Sequence, residues 1–205
     1  MPRVIAALAL ALSFACTSFT HTRMRDSIRV LQNDNGGCTA WSAGHGLWIT
    51  AKHCTVIGGV EGWTIAGVPV IVRAVSPDSD LALFSGPVAP VLPVASEAPP
   101  EGATVLSYGY GINQRLLLPF TALIASNASD FFDGNDEALM ILTGANGMSG
   151  MSGGPVLYRG KVVGQISGGG LPTSMTHLVG SAVTWEDVRA FVRLHVEGKS
   201  DAHWR

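Results

Sequence analysis

The sequence predicts an all-β fold, two small antiparallel β units followed by a C-terminal helix, and three observations predict it. Short apolar runs, many of them rich in β-branched residues, are separated by glycine, proline or aspartate along most of the 205 residues. Pro87, Pro90, Pro93, Pro99 and Pro100 cluster near the middle, where residues without an N–H cannot sit in central strands, so they mark a connection between two halves. Helical spacing appears clearly only at the end, where Thr184 can cap, Glu186 and Asp187 put negative charge in the first turn, and Val188, Phe191, Val192 and Val196 repeat before Gly198.

Taken in order, the chain opens with Arg3 and an apolar run from Val4 to Ala15, too short to span a bilayer comfortably. It ends in Ser13-Phe14-Ala15, small residues at the place where a signal peptidase cuts, so residues 1–15 read as a secretory signal. A buried N-terminal helix is the bland alternative. Cys16 follows directly and raises lipid anchoring as a minority option, although Ser13 stands where lipoprotein signals usually place leucine. Residues 16–36 are the most polar stretch and are expected to form a loosely held arm, which leaves 37–205 as the folded domain.

Strands are expected near Thr39–Ala43, Gly46–Thr50, Trp63–Ala66, Val68–Val75, Leu81–Ser85, Thr104–Tyr108, Arg115–Ala125, Ala138–Thr143, Pro155–Tyr158, Lys161–Ser167 and Leu178–Val183. Tyr158-Arg159-Gly160-Lys161 and Ala66-Gly67 supply the hairpin turns. With 47% hydrophobic and 14% charged residues the chain can build a core, and its length favours one domain.

The net charge of −2 and the lack of a basic run give no ground for nucleic acid or a polybasic membrane patch as a partner. A protein, peptide or small-molecule substrate fits better, and a monomer is the default. Beyond Cys16 only Cys38 and Cys54 remain. A bridge between them would close a modest loop, stabilise by roughly 3 kcal/mol, and imply an oxidising compartment, so the protein is expected to be secreted or periplasmic. Two buried free thiols are the alternative.

Three segments carry chemistry: Trp48-Ile-Thr-Ala-Lys-His53-Cys54, Asp80-Leu-Ala-Leu83 and Gly150-Met-Ser152-Gly-Gly-Pro155. A serine hydroxyl is a poor nucleophile at neutral pH, needs a base beside it, and the base needs a third group to hold its tautomer and stabilise its charge. His53, Asp80 and Ser152 supply these types in that chain order. The segments together resemble the signatures of the chymotrypsin-like serine proteases: Thr50-Ala51-Lys52-His53-Cys54 for the histidine strand end, Asp80-Leu81-Ala82-Leu83 for the acid, and Gly150 to Pro155 for the nucleophile.

The resemblance covers roughly Gly37 to the C-terminus and implies two antiparallel β-barrels of the six-stranded type with a C-terminal α-helix. It also implies a Cys38–Cys54 bridge, since many members join the cysteine after the histidine to one sixteen residues earlier. By the same resemblance the chain is a serine endopeptidase acting through an acyl-enzyme, with Ser152 as nucleophile, His53 as base and Asp80 as its orienter. The N–H groups of Gly150 and Ser152 form the oxyanion hole, Ser167-Gly168-Gly169 pairs with substrate backbone, and no cofactor or metal is required. Asp78 competes with Asp80, but Pro77-Asp78-Ser79 reads as a turn while Asp80 opens an apolar strand.

Two departures stand out. The family commonly has aspartate before the nucleophile, pairing with a newly liberated N-terminus, whereas this chain has Met151, and no matching N-terminal motif precedes Cys38. The nucleophile loop is therefore expected to be ordered by packing. Asn146, six residues before Ser152, matches the base of the primary pocket and is uncharged, which predicts a non-basic P1 residue. Glu preference through His177 is the lower-ranked option. Ser149 reads as a loop residue near that pocket, and His21, His45, His195 and His203 lack a catalytic motif.

Two other readings compete. Gly150-x-Ser152-x-Gly154 also fits the nucleophile elbow of α/β-hydrolases, but that fold needs an acid and then a histidine after the serine, and the candidates, Asp187 or Asp201 with His195 or His203, crowd onto the terminal helix and tail. A protease fold that has lost catalysis and serves as a binding module is the second, kept open by Met151. No histidine or cysteine spacing suggests a metal, and there is no phosphate-cradling loop with a lysine.

Overall fold

The computed structural model describes residues 24–57, 61–111, 116–129, 139–143, 149–170 and 179–199. The expected signal and Cys16 lie outside them. The first half is a curled antiparallel sheet of seven strands: β1 (Ile28–Asn33), β2 (Gly36–Gly44), β3 (Leu47–Thr50), β4 (Thr64–Ile65), β5 (Val68–Pro69), β6 (Ile71–Val75) and β7 (Ala82–Ser85). Their spatial order is β5-β4-β1-β2-β3-β7-β6.

The second half closes as a six-stranded barrel of β8 (Thr104–Tyr110), β9 (Leu117–Ser129), β10 (Leu139–Thr143), β11 (Pro155–Tyr158), β12 (Lys161–Gly170) and β13 (Val179–Val183), in the order β10-β13-β12-β11-β8-β9. The two-unit β architecture is as the sequence predicts. Within it, closure by a complete hydrogen-bonded ring belongs to the second unit, and the first curls as an open sheet.

Burial explains the sequence pattern. Along β2 the residues Cys38 to Gly44 are all buried, so both faces carry small or apolar side chains. Ala40 joins Leu31, Trp48, Ile65 and Phe84 inside the first sheet. Trp41, from the other face, joins Ile28, Leu83, Leu157 and Val183 in the core between the halves. A third cluster, with Val105, Ile124, Met140, Val156 and Val163, fills the barrel.

The connecting segment lies against both units: Leu92 N–H donates to Ser42 O at 3.0 Å, Val162 N–H to Pro93 O at 2.9 Å, and Ala95 N–H to Val162 O at 2.9 Å. The turn joining β11 to β12 has φ of 51° at Arg159 and 77° at Gly160, the type I′ geometry that matches strand twist and needs glycine at its second centre.

The C-terminal helix, α2 (Trp185–His195), follows its sequence signals. Thr184 Oγ1 accepts from Asp187 N–H at 3.3 Å, and Val188, Phe191 and Val192 are buried in the core between the halves. The cap satisfies an amide that the first turn cannot bond internally, and the apolar stripe supplies the docking energy.

Three expectations need correction. The arm assigned to residues 16–36 contains β1, which pairs with β2 from Ile28↔Trp41 to Asn33↔Gly36 and places Ile28 and Leu31 at zero exposure. Polar side chains at Arg29, Gln32 and Asn33 obscure the alternation. The single run Val68–Val75 is split, because Pro69 has no N–H and Val70 N–H turns to Trp63 O at 3.0 Å. A second helix also exists, α1 (Lys52–Ile57), six residues long and too short to display periodicity.

Replacing Leu31 by Ala tests the place of β1 in the fold: we expect a loss of about 2–5 kcal/mol in urea-induced unfolding. A loss under about 0.5 kcal/mol would mean that residues 28–33 are peripheral.

Candidate active site at the seam between the halves

The site is built where the first sheet meets the second barrel. His53 lies in the first turn of α1, where intrahelical acceptors are lacking, and Asp80 fills the gap: His53 N–H donates to Asp80 Oδ1 at 2.8 Å. The other carboxylate oxygen faces the imidazole, with His53 Nδ1 2.7 Å from Asp80 Oδ2. One carboxylate thus fixes both the backbone and the ring of His53. The disulfide from Cys38 on β2 to Cys54 on α1 ties the helix to the sheet one residue further on.

Asp80 is largely buried, its side chain 7% exposed against 34% for His53. A buried carboxylate must be surrounded by donors, and the third comes from the other half: Ser167 Oγ on β12 donates to Asp80 Oδ2 at 2.6 Å. Gln165 Nε2, two residues earlier, donates to Asp80 O at 3.0 Å, and its Oε1 accepts from Trp41 Nε1 at 3.3 Å. Lys52 Nζ reaches Ser76 O and Pro77 O at 3.2 and 3.3 Å, bracing the loop that leads to Asp80. Asp78 takes no part in this cluster and lies in the exposed bend before it.

Ser152 stands on the loop before β11. Its Oγ lies 3.5 Å from Ser167 O, the outer limit of a hydrogen bond. Ser167 therefore touches the acid through its hydroxyl and the serine through its carbonyl, and the three residues singled out by sequence are brought into one cluster. Among the described residues no backbone acceptor takes the N–H of Gly150 or Ser152.

Packing explains the loop's glycines and its methionine. Gly153 has φ of 83°, and a Cβ there would collide with Thr39 O and Thr50 Oγ1. Met151 is 2% exposed and lies against Gly109, where a Cβ would come within 3.0 Å of its Cα and Cβ. The methionine is thus a plug in the barrel core, as expected of a loop ordered by packing. Backbone bonds complete it: Gly154 N–H to Met151 O at 2.9 Å, Gly153 N–H to Ile166 O at 2.8 Å, and Thr39 N–H to Ser152 O at 2.8 Å.

Beside the serine, β12 presents an edge. β11 pairs with β12 only as far as Pro155↔Gln165, whereas β13 pairs along the opposite side from Gln165↔Val183 to Gly170↔Val179. Among the described strands, Gly168 and Gly169 are therefore paired on one side only, with Ser167 at the irregularity between Ile166 and Gly168, and such a half-paired edge is the geometry an extended peptide needs to add itself as a strand. Asn146 and His177 lie outside the described residues, and Ser149 is exposed.

The remaining described histidines are elsewhere. His45 sits on the β2–β3 turn, at the far end of β3 from His53, beside a pocket of about 400 Å³ against α2. His195 packs on Phe191 with ring centroids 4.6 Å apart. Between the halves, burial pushes the Tyr108 phenol above its ordinary range, so it stays protonated at neutral pH.

Sequence reading placed Ser167 only on the substrate edge and missed its hydroxyl bond to Asp80. It also passed over Gln165 and Thr39. Gln165 had a signal, an amide inside the apolar run Val162-Val-Gly-Gln-Ile166, since a polar side chain there must find buried partners.

No family model and no curated protein matches the sequence. Solved structures do match in shape. The active form of the Rv3671c protease from M. tuberculosis is 20% identical with a TM-score of 0.70, over 85% of this chain and 82% of that one. The HtrA-type protease AlgW, solved with a tripeptide, is 17% identical with a TM-score of 0.68, over 87% of this chain and 63% of that one. The scabies mite inactivated protease paralogue S-I1 is 15% identical with a TM-score of 0.63, over 86% and 96%. The chain has the chymotrypsin-like protease fold.

The close fit at Gly153 makes it the most sensitive position of the loop. Gly153→Ala is expected to cost several kcal/mol in thermal or urea unfolding, because both φ and the space are wrong for a methyl group. Gly160→Ala, in an open turn with nothing within 4 Å of the added carbon, should cost about 1 kcal/mol.

Proposed function

We propose that the protein is an exported serine endopeptidase that hydrolyses peptide bonds through an acyl-enzyme on Ser152. The observation that carries this reading is the cluster Ser152–Ser167–Asp80–His53, drawn from both halves of a protease fold and placed beside a half-paired strand edge.

The chemistry follows from the contacts. Asp80 accepts a hydrogen bond from the Nδ1–H of His53, which leaves Nε2 as the base. That base takes the proton of Ser152 as its oxygen attacks the scissile carbonyl, and returns it to the leaving amine. Water then repeats the sequence on the acyl-enzyme. The N–H groups of Gly150 and Ser152 receive the charge that develops on the carbonyl oxygen, and such preorganised donors are worth about 2.7–4 kcal/mol each where measured by mutation. The substrate backbone pairs with Ser167 to Gly169 as an added strand.

Two features support export. The apolar run ending at Ala15 has the form of a signal, and the Cys38–Cys54 disulfide suits an oxidising compartment. Lipid attachment at Cys16 is the lesser alternative to free secretion or a periplasmic location. The uncharged Asn146 favours a non-basic P1 side chain, small or medium in size. The loss-of-catalysis reading is weaker, because Met151 is accommodated as a packed core residue. The scabies mite structure, described as an inactivated paralogue, nevertheless means that this fold by itself does not establish activity.

A fluorophosphonate probe should label the folded, disulfide-bonded protein on Ser152, as located by mass spectrometry. Ser152→Ala should abolish the adduct, Asp80→Asn should reduce kcat by about 10⁴-fold, and Ser149→Ala should change little. Labelling that persists in the His53→Ala variant at the wild-type rate would sink the triad assignment. In a peptide-library digest we expect few cleavages after Arg or Lys; a majority after basic residues would overturn the P1 reading.

A further inference from the structure

Thr39 holds the nucleophile loop in two ways. Its N–H donates to Ser152 O at 2.8 Å, a bond open to almost any residue at that place. Its hydroxyl does something only serine or threonine could do. Oγ1 donates to Gly150 O at 2.9 Å and accepts from Tyr110 N–H at 2.9 Å. Thr39 itself is locked, because Thr50 Oγ1 donates to its carbonyl at 2.8 Å, and it has zero exposure, so neither Gly150 O nor Tyr110 N–H is offered bulk water in exchange.

Three parts of the molecule meet at this one oxygen: β2 of the first sheet, β8 of the barrel, and the loop. Gly150 has φ of 94°, a conformation glycine can leave easily, and the rotation that would take it away carries its carbonyl out of reach of Thr39. Holding that carbonyl therefore holds the backbone between the two N–H groups assigned to the oxyanion. Met151 blocks collapse from the barrel side, and the Thr39 hydroxyl supplies the polar tie on the other.

The geometry points to Thr39 as a positioning residue of the oxyanion loop: by bridging Tyr110 N–H and Gly150 O, its hydroxyl keeps the Gly150 and Ser152 amides aimed at one point. This inference rests on the serine protease reading and adds to it the residue that takes over the ordering role of the absent ion pair.

The test compares full-length, disulfide-bonded wild type with Thr39→Ser, Thr39→Val and Thr39→Ala. Thr39→Ala provides a second hydroxyl-free variant should valine's extra methyl prevent folding. Each is assayed for fluorophosphonate labelling rate, for kcat and KM on a peptide substrate, and for amide exchange at Tyr110 and residues 149–154 by NMR. We expect Thr39→Ser to stay within about 3-fold of wild type. The hydroxyl-free variants should lose about 10- to 100-fold in labelling rate and kcat with KM little changed, and their Tyr110 amide should exchange at least about tenfold faster. Equal labelling and unchanged exchange in Thr39→Val or Thr39→Ala would overturn the inference while leaving the protease reading intact. Wild type that does not label, with loop exchange still accelerated only in the hydroxyl-free variants, would uphold Thr39 as the tie and remove the protease reading. No labelling and no change in exchange would overturn both.

Discussion

The carboxylate of Asp80 is the group on which the rest of the structure turns. A charge this deeply buried is costly unless donors surround it, and removing one partner of such a set usually costs more than the set contributes. Here the donors come from both halves: the amide and ring of His53 from the first, the hydroxyl of Ser167 from the second. Docking the barrel onto the sheet and building the acid–histidine pair are consequently one event. Trp41 and Gln165 extend the same logic, since the indole N–H is buried in the core between the halves and finds its acceptor on β12.

Around that centre the loop that carries Ser152 is held mostly by shape. Gly153 fits where no side chain could, and Met151 fills a hollow whose other wall is Gly109. A loop ordered in this way has no charged partner to wait for. Its conformation is set by packing in the barrel core.

Much of this was readable from residues close together in sequence. The segments around His53, Asp80 and Ser152 are short and local in their chemistry, and the hairpin turn at Arg159-Gly160 announces itself through glycine. What escaped depends on contacts far apart in the chain. β1 carries too many polar side chains to look like a strand, yet it pairs with β2 over six positions and buries Ile28 and Leu31. α1 has the β-branched residues Thr55, Val56 and Ile57 in half its length, a composition that argues against a helix; Asp80 and the disulfide hold it in place. Thr39, 111 positions from Gly150, gives no local sign at all, because a threonine in a buried strand reads as an ordinary β former.

The proline-rich connection has a mechanical consequence. Leu92 is bonded to β2, while Pro93 and Ala95 are bonded to β12, so within a few residues the segment is stitched to both units. A linker fastened at successive residues to the two bodies it joins cannot serve as a hinge, since opening the seam would require stripping those bonds as well as separating the shared core. The two halves thus form a fixed anvil, and whatever binds at the seam must fit the two as they stand.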